Sequence, residues 1–564
     1  MKRIALFSAA ILYASLINLS AETSWTVGKT TYSVDTLYHA TIGPGTTETE
    51  LRIESVGTGT LTVNNIFYTV TDLNNEYVEM RAAKAGNHMR KLEIVPDIAA
   101  RMNKPGERYF AGVNADFFNL SDPYNAIGMC LANGFLTNYE TDGADIDPYY
   151  IVFDEKGSPT FARHIHRDWY GQFLFPDGQK SEFNLNINRN DDDLVLYTPQ
   201  WQLEFWGKRS EVGYTGTNSY GVEVKLRPVG QNVLYGNTLK FEVVEDPEIA
   251  VGNMKIPEDG YVLSAHGVKR DFLRSLKKGD IIISSIAFSA DGNQMKAKEL
   301  LGGFPRILTA EKNNATLSYP EHLSTKEPRT AVGYNADKTK LFMVVVDGRN
   351  AGGSSGVTQQ ELADIMRNIG CSDAMNFDGG GSSTMYVDGL GVKNVPSSSS
   401  LDKRPEGTPR TVVNALFAVA VAPVDNVVAS IEIREKKVSL TAGETFTPVV
   451  YGYNQYGVMV SSDLSGFTIK VPEQAGKISG NVLTASDEKC YGLLTVDYNG
   501  MQYSVPLSVN GGGQSTTAIS EITNNTDDAA VEYYRLDGVR TSAPVPGQIM
   551  IVKKGAEVTK TIND

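Results

Sequence analysis

Residues 329–384 run RTAVGYNADKTKLFMVVVDGRNAGGSSGVTQQELADIMRNIGCSDAMNFDGGGSST. Thr330–Tyr334 reads as a strand, and Leu341–Val346 is wholly apolar, the pattern of a strand buried on both faces. The polar link Asn335–Lys340 is short, so the two strands pair as an antiparallel hairpin. Arg329 then lies beside Asp347. Thr358-Gln359-Gln360-Glu361 is a capping box, in which a hydroxyl and a carboxylate satisfy N–H groups at a helix start. Leu362, Ile365, Met366 and Ile369 follow at helical spacing, and Gly370 is a natural stop. Ala374–Phe377 is again a short strand. Such a strand–helix–strand unit sets its two strands parallel. Their C-terminal ends share the sheet edge at which α/β units bind ligands. Asp347, Arg349 and Asp378 therefore converge on one edge, and the hairpin brings Arg329 to it.

Asp378-Gly379-Gly380-Gly381-Ser382-Ser383 leaves a carboxylate and a bare backbone side by side. Glycine permits close approach and positive φ. Successive N–H groups in such a turn form a concave nest for an oxyanion such as phosphate. A carboxylate beside an anion nest points to hydrolysis of something negatively charged.

The 564-residue chain predicts two or three domains, with the hydrophobic (41%) and charged (21%) content of a globular protein. A net charge of -14 argues against nucleic acid or an anionic membrane surface as main partner. Residues 1–21 read as a secretory signal: Lys2 and Arg3, an apolar run from Ile4 to Leu19, then Leu19-Ser20-Ala21. No later segment is apolar enough to span a bilayer, so an exported protein, periplasmic or at the cell surface, is expected. Cys130, Cys371 and Cys490 are too few for a disulfide framework and read as buried small hydrophobes.

Residues 22–424 are dense in short β-like runs with few helix signals, which predicts an α+β domain built on mixed β-sheet. Residues 425–510 alternate apolar and polar positions between regular turns, as in Ser430–Ile433 and Thr447–Tyr451, and predict a small all-β immunoglobulin-like sandwich. A Gly-rich linker spans 511–530. Residues 531–564 resemble the C-terminal sorting tails of Bacteroidetes exported proteins.

Glu327-Pro328-Arg329-Thr330-Ala331-Val332-Gly333, Val346-Asp347-Gly348-Arg349 and Asn376–Thr384 together resemble the phosphodiester glycosidase family, which includes the uncovering enzyme that removes N-acetylglucosamine from mannose-6-phosphate diesters. Gly112–Phe118, Leu196–Pro199, Gly221–Val224 and Val262–Gly267 extend the likeness over residues 100–422, in the family's order. Ala115-Asp116 stands where glycine is common in relatives, and Phe377 where leucine is commoner. The resemblance implies cleavage between a sugar's anomeric carbon and a phosphate oxygen. Phosphate is a good leaving group that needs charge stabilisation, which arginine supplies bidentately, so Arg329 and Arg349 are candidates. Asp378 is the candidate to attack the anomeric carbon, stabilise it or activate water. Asn114, Asp116, Glu223, His266, Asp347, Gly379, Gly380, Gly381, Ser382 and Ser383 are candidates for binding the substrate, with Asp347 orienting Arg349.

Two other readings remain open on the sequence. One is a phosphoglycan-binding surface protein without turnover. The other is a metal-dependent phosphodiesterase. No essential metal is predicted. His164 and His166 share one side of a strand with no third ligand. Asp191-Asp192-Asp193 and the set Asp142, Asp145 and Asp147 offer oxygens of the kind Ca²⁺ takes.

Overall fold

The computed structural model describes residues 23–511, apart from gaps at 89, 121–125, 133–134, 139–147, 164, 166–169, 206–207, 210, 231–236, 291–292, 315–324 and 399–403, together with strand segments between 531 and 562. Residues 1–21, His164, His166, Asp142, Asp145, Asp147 and most of the expected linker lie outside the described residues. The chain clusters into two compact units. The first comprises Met1–Lys436, Thr447–Lys470 and Thr495–Val505; the second comprises Lys437–Phe446, Val471–Leu494 and Pro506–Asp564.

The first unit holds every candidate site residue. It is mainly β, as the α+β reading expects, with few helices. The strand Arg329–Tyr334 pairs antiparallel with Lys340–Val346, Arg329 opposite Val346. It pairs antiparallel on its other side with Asp373–Asn376. The two flanking strands are therefore parallel to each other, and the C-terminal ends of both meet the start of Arg329–Tyr334 at one edge. The helix Gln359–Asn368 joins them, with Thr358 and Glu361 closing the capping box in both directions. Gly370 ends it with φ +110°, a conformation that glycine adopts without strain.

These three strands sit inside a nine-stranded sheet. One face packs on the helix through Leu362, Ile365 and Met366. The other packs on a five-stranded sheet in which Arg108–Asn114 lies between Met385–Val387 and Asn414–Ala420. A ten-stranded sheet carries Leu194–Tyr197, Tyr261–Ala265 and Val222–Val229 side by side around its own core. From 430 to 461 the first unit adds a three-stranded sheet, Ser430–Ile433, Val450–Tyr453 and Met459–Ser461.

Within the second unit, Val482–Ala485 lies between Thr445–Phe446 and Gly476–Ser479, and the tail forms an antiparallel sheet from Val531–Arg535, Arg540–Thr541, Ile549–Lys554 and Glu557–Ile562. The three cysteines are buried and form no disulfide among the described residues; Cys130 and Cys371 lie in different core clusters.

Candidate active site

Asp378 leaves the strand Asp373–Asn376 with both backbone groups held. Its N–H donates to Ala115 O at 2.8 Å. Its carbonyl accepts from Asn114 Nδ2 at 2.7 Å. Asn114, fully buried at the end of its strand, also accepts through Oδ1 from Thr330 Oγ1 at 2.9 Å and from the Thr384 N–H at 3.1 Å. One amide thus ties together the hairpin, the turn and the five-stranded sheet. Asn114 was a candidate for sugar hydroxyls, but its side chain is committed to protein groups, so it positions the turn.

Two of the three N–H groups expected to form a nest are bonded within the protein. The Gly380 N–H donates to Pro328 O at 2.8 Å, and the Gly379 N–H is bonded to the Asp378 carboxyl. What the missing side chains admit is guanidinium. A methyl group at 380, where φ is +60°, would sit 2.9 Å from Arg349 Nη2. At 381 it would collide with Arg410 and lie 3.1 Å from Arg404 Nη2. At 379 it would meet Pro328 O at 2.8 Å and Arg329 Cδ at 3.7 Å. Arg404 Nη2 donates to Gly381 O at 2.9 Å, and Arg410 Nη1 donates to Ser382 Oγ at 3.2 Å. Arg349 donates from Nε to Glu327 Oε2 at 2.6 Å.

Arg329 reaches the edge as expected but turns inward. Its Nε donates to Val357 O at 3.1 Å and its Nη2 to Thr325 O at 2.9 Å. Burial, with Arg349 nearby, pushes its pKa down to about 10 even though Glu327 opposes this. The partly exposed Arg349 is better placed to meet a ligand.

Two carboxyls share the site. Asp378 is partly exposed at the turn. Burial raises its pKa to about 6, against the Ser382 hydroxyl and the charges of Arg410 and Arg349. Asp116 lies deeper. Burial raises it to about 7, opposed by Asn414, Gly302 and Lys84 and reinforced by the charge of Asp378. Asn414 clamps it at both ends, accepting from the Asp116 N–H at 2.9 Å and donating to Oδ2 at 2.8 Å. The turn's other hydroxyl, Ser383 Oγ, is buried with no hydrogen-bond partner among the described residues.

Three candidates go elsewhere. Asp347 does not orient Arg349. Its carboxylate accepts from Asn394 Nδ2 at 3.0 Å and from the Val395 N–H, and burial raises its pKa to about 7. Because Asn394 also donates to Ser383 O at 3.1 Å, Asp347 braces the turn from behind. Glu223 and His266 belong to the ten-stranded sheet. Glu223 is wholly buried, accepting from Thr217 Oγ1 at 2.7 Å and Ser264 Oγ at 2.8 Å, with Arg189 at 3.7 Å. His266 Nδ1 lies 2.9 Å from Asp191 Oδ1. Asp192 and Asp193 accept from the backbone N–H groups of Val268 and Asn190. Among the described residues, no group of three or more His, Cys, Asp and Glu side chains is arranged to hold a metal.

Sequence reading missed Arg404, Arg410, Asn394 and Asn414. A signal for Arg410 existed: Pro-Arg-Thr occurs at 328–330 and again at 409–411, each time before two apolar residues.

Residues 240–419 match the model of the phosphodiester glycosidase family. The matched segment is about a third of the chain. It contains Arg329, Arg349, Asp378, the three glycines, Arg404, Arg410 and Asn414; Asn114 and Asp116 precede it. The SPbeta prophage-derived uncharacterized protein YomE of Bacillus subtilis (strain 168) is 36% identical over 94 residues, 17% of this chain and 13% of that protein. A hypothetical protein from Synechocystis aligns over 66% of this chain and 62% of its own, with 17% identity and a TM-score of 0.42. The catalytic domain of zebrafish N-acetylglucosamine-1-phosphodiester alpha-N-acetylglucosaminidase, auto-inhibited by its pro-peptide, aligns over 70% of this chain and 88% of its own, with 12% identity and a TM-score of 0.34.

Proposed function

We propose that the chain is an exported hydrolase that cleaves the bond between a sugar's anomeric carbon and the phosphate of a phosphodiester in a glycan or cell-surface polymer. The observation that carries this reading is the packing of Arg349, Arg404 and Arg410 on the bare backbone of Gly380 and Gly381, beside the carboxyl of Asp378. Guanidinium pairs with phosphate oxygens through parallel hydrogen bonds and keeps its charge. The phosphate binds against Arg349 and Arg410, and the sugar extends toward Asp378.

As the bond from the anomeric carbon to the phosphate oxygen breaks, its electron pair moves onto a phosphate already neutralised by arginine. The ring carbon gains oxocarbenium character, which the ionised Asp378 stabilises. Water adds to that carbon and gives its proton to Asp378. Burial holds the pKa of Asp378 near 6, within reach of neutral pH, where a general base is effective. Each preorganised donor at the phosphate contributes roughly 3 kcal/mol. Residues 425–510 space or present this domain, and residues 531–564 direct its sorting.

The test is release of free reducing sugar from UDP-N-acetylglucosamine or a simpler sugar phosphodiester. Wild type turns over. Asp378→Asn retains binding and loses turnover by at least about 10²-fold. Equal turnover in the two would remove Asp378 from the mechanism, and binding without turnover in wild type would make the protein a phosphoglycan-binding module.

A further inference from the structure

Glu327 has a place at the turn that the reaction above does not use. Its carboxylate accepts from Arg349 Nε at 2.6 Å, with the two side chains 31% and 33% exposed. Its backbone is fixed on both sides, the Glu327 N–H to Val357 O at 3.2 Å and the Val357 N–H to Glu327 O at 3.1 Å. Gly348 and Gly356 press so closely on it that a methyl group on either would lie 2.9 Å from the Glu327 carbonyl carbon. A partly exposed ion pair adds little to stability, so folding alone is a poor reason to hold this residue so closely. The pair divides Arg349 in two: Nε faces Glu327 and Nη2 faces Gly380.

We infer that Glu327 sets the charge of the anion this site accepts, favouring the single charge of a phosphodiester over the double charge of a phosphomonoester. The inference rests on the reading that the turn binds phosphate. Hydrolysis itself changes the charge. The sugar carbon gains the water oxygen, the water's proton goes to Asp378, and the phosphate leaves with the bonding pair as a monoester whose second ionisation lies near pH 6. At neutral pH the substrate phosphate carries one charge and the product two. A carboxylate fixed across Arg349 repels the second charge, so the site discriminates against its own product and against free monoesters.

The experiment is calorimetric titration of the full chain at pH 8 with dimethyl phosphate, a monoanion, and methyl phosphate, a dianion. Wild type binds dimethyl phosphate at least as tightly as methyl phosphate. Glu327→Gln, which still accepts from Arg349, tightens methyl phosphate by about tenfold and dimethyl phosphate by less than about threefold, because only the first gains from losing a fixed charge. Equal change for both anions, or no change, overturns the inference. So does a tenfold preference of wild type for methyl phosphate, which decides the matter even if Glu327→Gln does not fold. Failure of both anions to bind either protein would instead remove the phosphate reading of the turn, and this inference with it.

Discussion

A side chain at Gly380 would place its first carbon 2.9 Å from Arg349 Nη2. The backbone at 380 and the guanidinium of Arg349 therefore occupy one another's space, and the φ of +60° at 380 adds a separate reason for glycine. Gly380→Ala is predicted to cost about 1 kcal/mol or more in backbone strain and to push Arg349 off the turn. Thermal unfolding should show a modest loss. The value of kcat/KM on a sugar phosphodiester should fall by about 10²-fold, the effect of losing one preorganised donor. Unchanged kcat/KM would mean that Arg349 does not act from this position.

Asn114→Ala removes the partner of the Asp378 carbonyl, the Thr330 hydroxyl and the Thr384 N–H at once. Each buried group left unpaired costs about 1–3 kcal/mol. Urea unfolding should show a loss of several kcal/mol, larger than that of Gly380→Ala. A loss within error of zero would contradict the claim that this amide joins the three segments.

Arg410→Gln tests the residue that sequence reading overlooked. Arg410 lowers the pKa of Asp378 by its charge and donates to Ser382 Oγ. The variant should lose activity by about 10²-fold, and the rising limb of its pH–rate profile should move to higher pH. Lost activity with an unmoved limb would place Arg410 on the substrate alone.

The carboxyls set a pH dependence. Asp378, Asp116 and Asp347 have folded pKa values of about 6, 7 and 7, all above the ordinary value of 3.8. Between about pH 4 and 7 the folded protein therefore binds more protons than the unfolded chain, so these groups make stability fall as pH rises through that window. Activity that needs ionised Asp378 should instead rise with an apparent pKa near 6. Asp116→Asn should flatten the decline in Tm and leave the activity limb in place, because Asp116, the weaker acid, is still protonated while Asp378 ionises. A limb displaced by about a unit in this variant would contradict that order of ionisation.

What the sequence made legible is local. The hairpin, the capping box at Thr358 and Glu361, the stop at Gly370 and the shared edge of Arg329, Asp347 and Asp378 follow from short-range patterns, and all are present. The other half of the site was not legible because it arrives over long distance. Asn414 opens a strand that inserts between Val78–Lys84 and Arg108–Asn114, and that register delivers it to Asp116 from 298 positions away. Arg404 and Arg410 precede the same strand. The burial of Glu223 was not legible either, because a carboxylate on an alternating strand looks the same whether it faces solvent or meets Arg189, Thr217 and Ser264 inside a core. The glycines were noticed for the right reason, close approach, but what approaches is arginine.

The central claim is that the bond broken is the one from sugar carbon to oxygen, with phosphate leaving. Hydrolysis of a sugar phosphodiester in ¹⁸O-labelled water, followed by mass spectrometry of both products, tests it most directly. The account predicts one ¹⁸O in the released sugar and none in the phosphate. Label in the phosphate would show attack at phosphorus and contradict it.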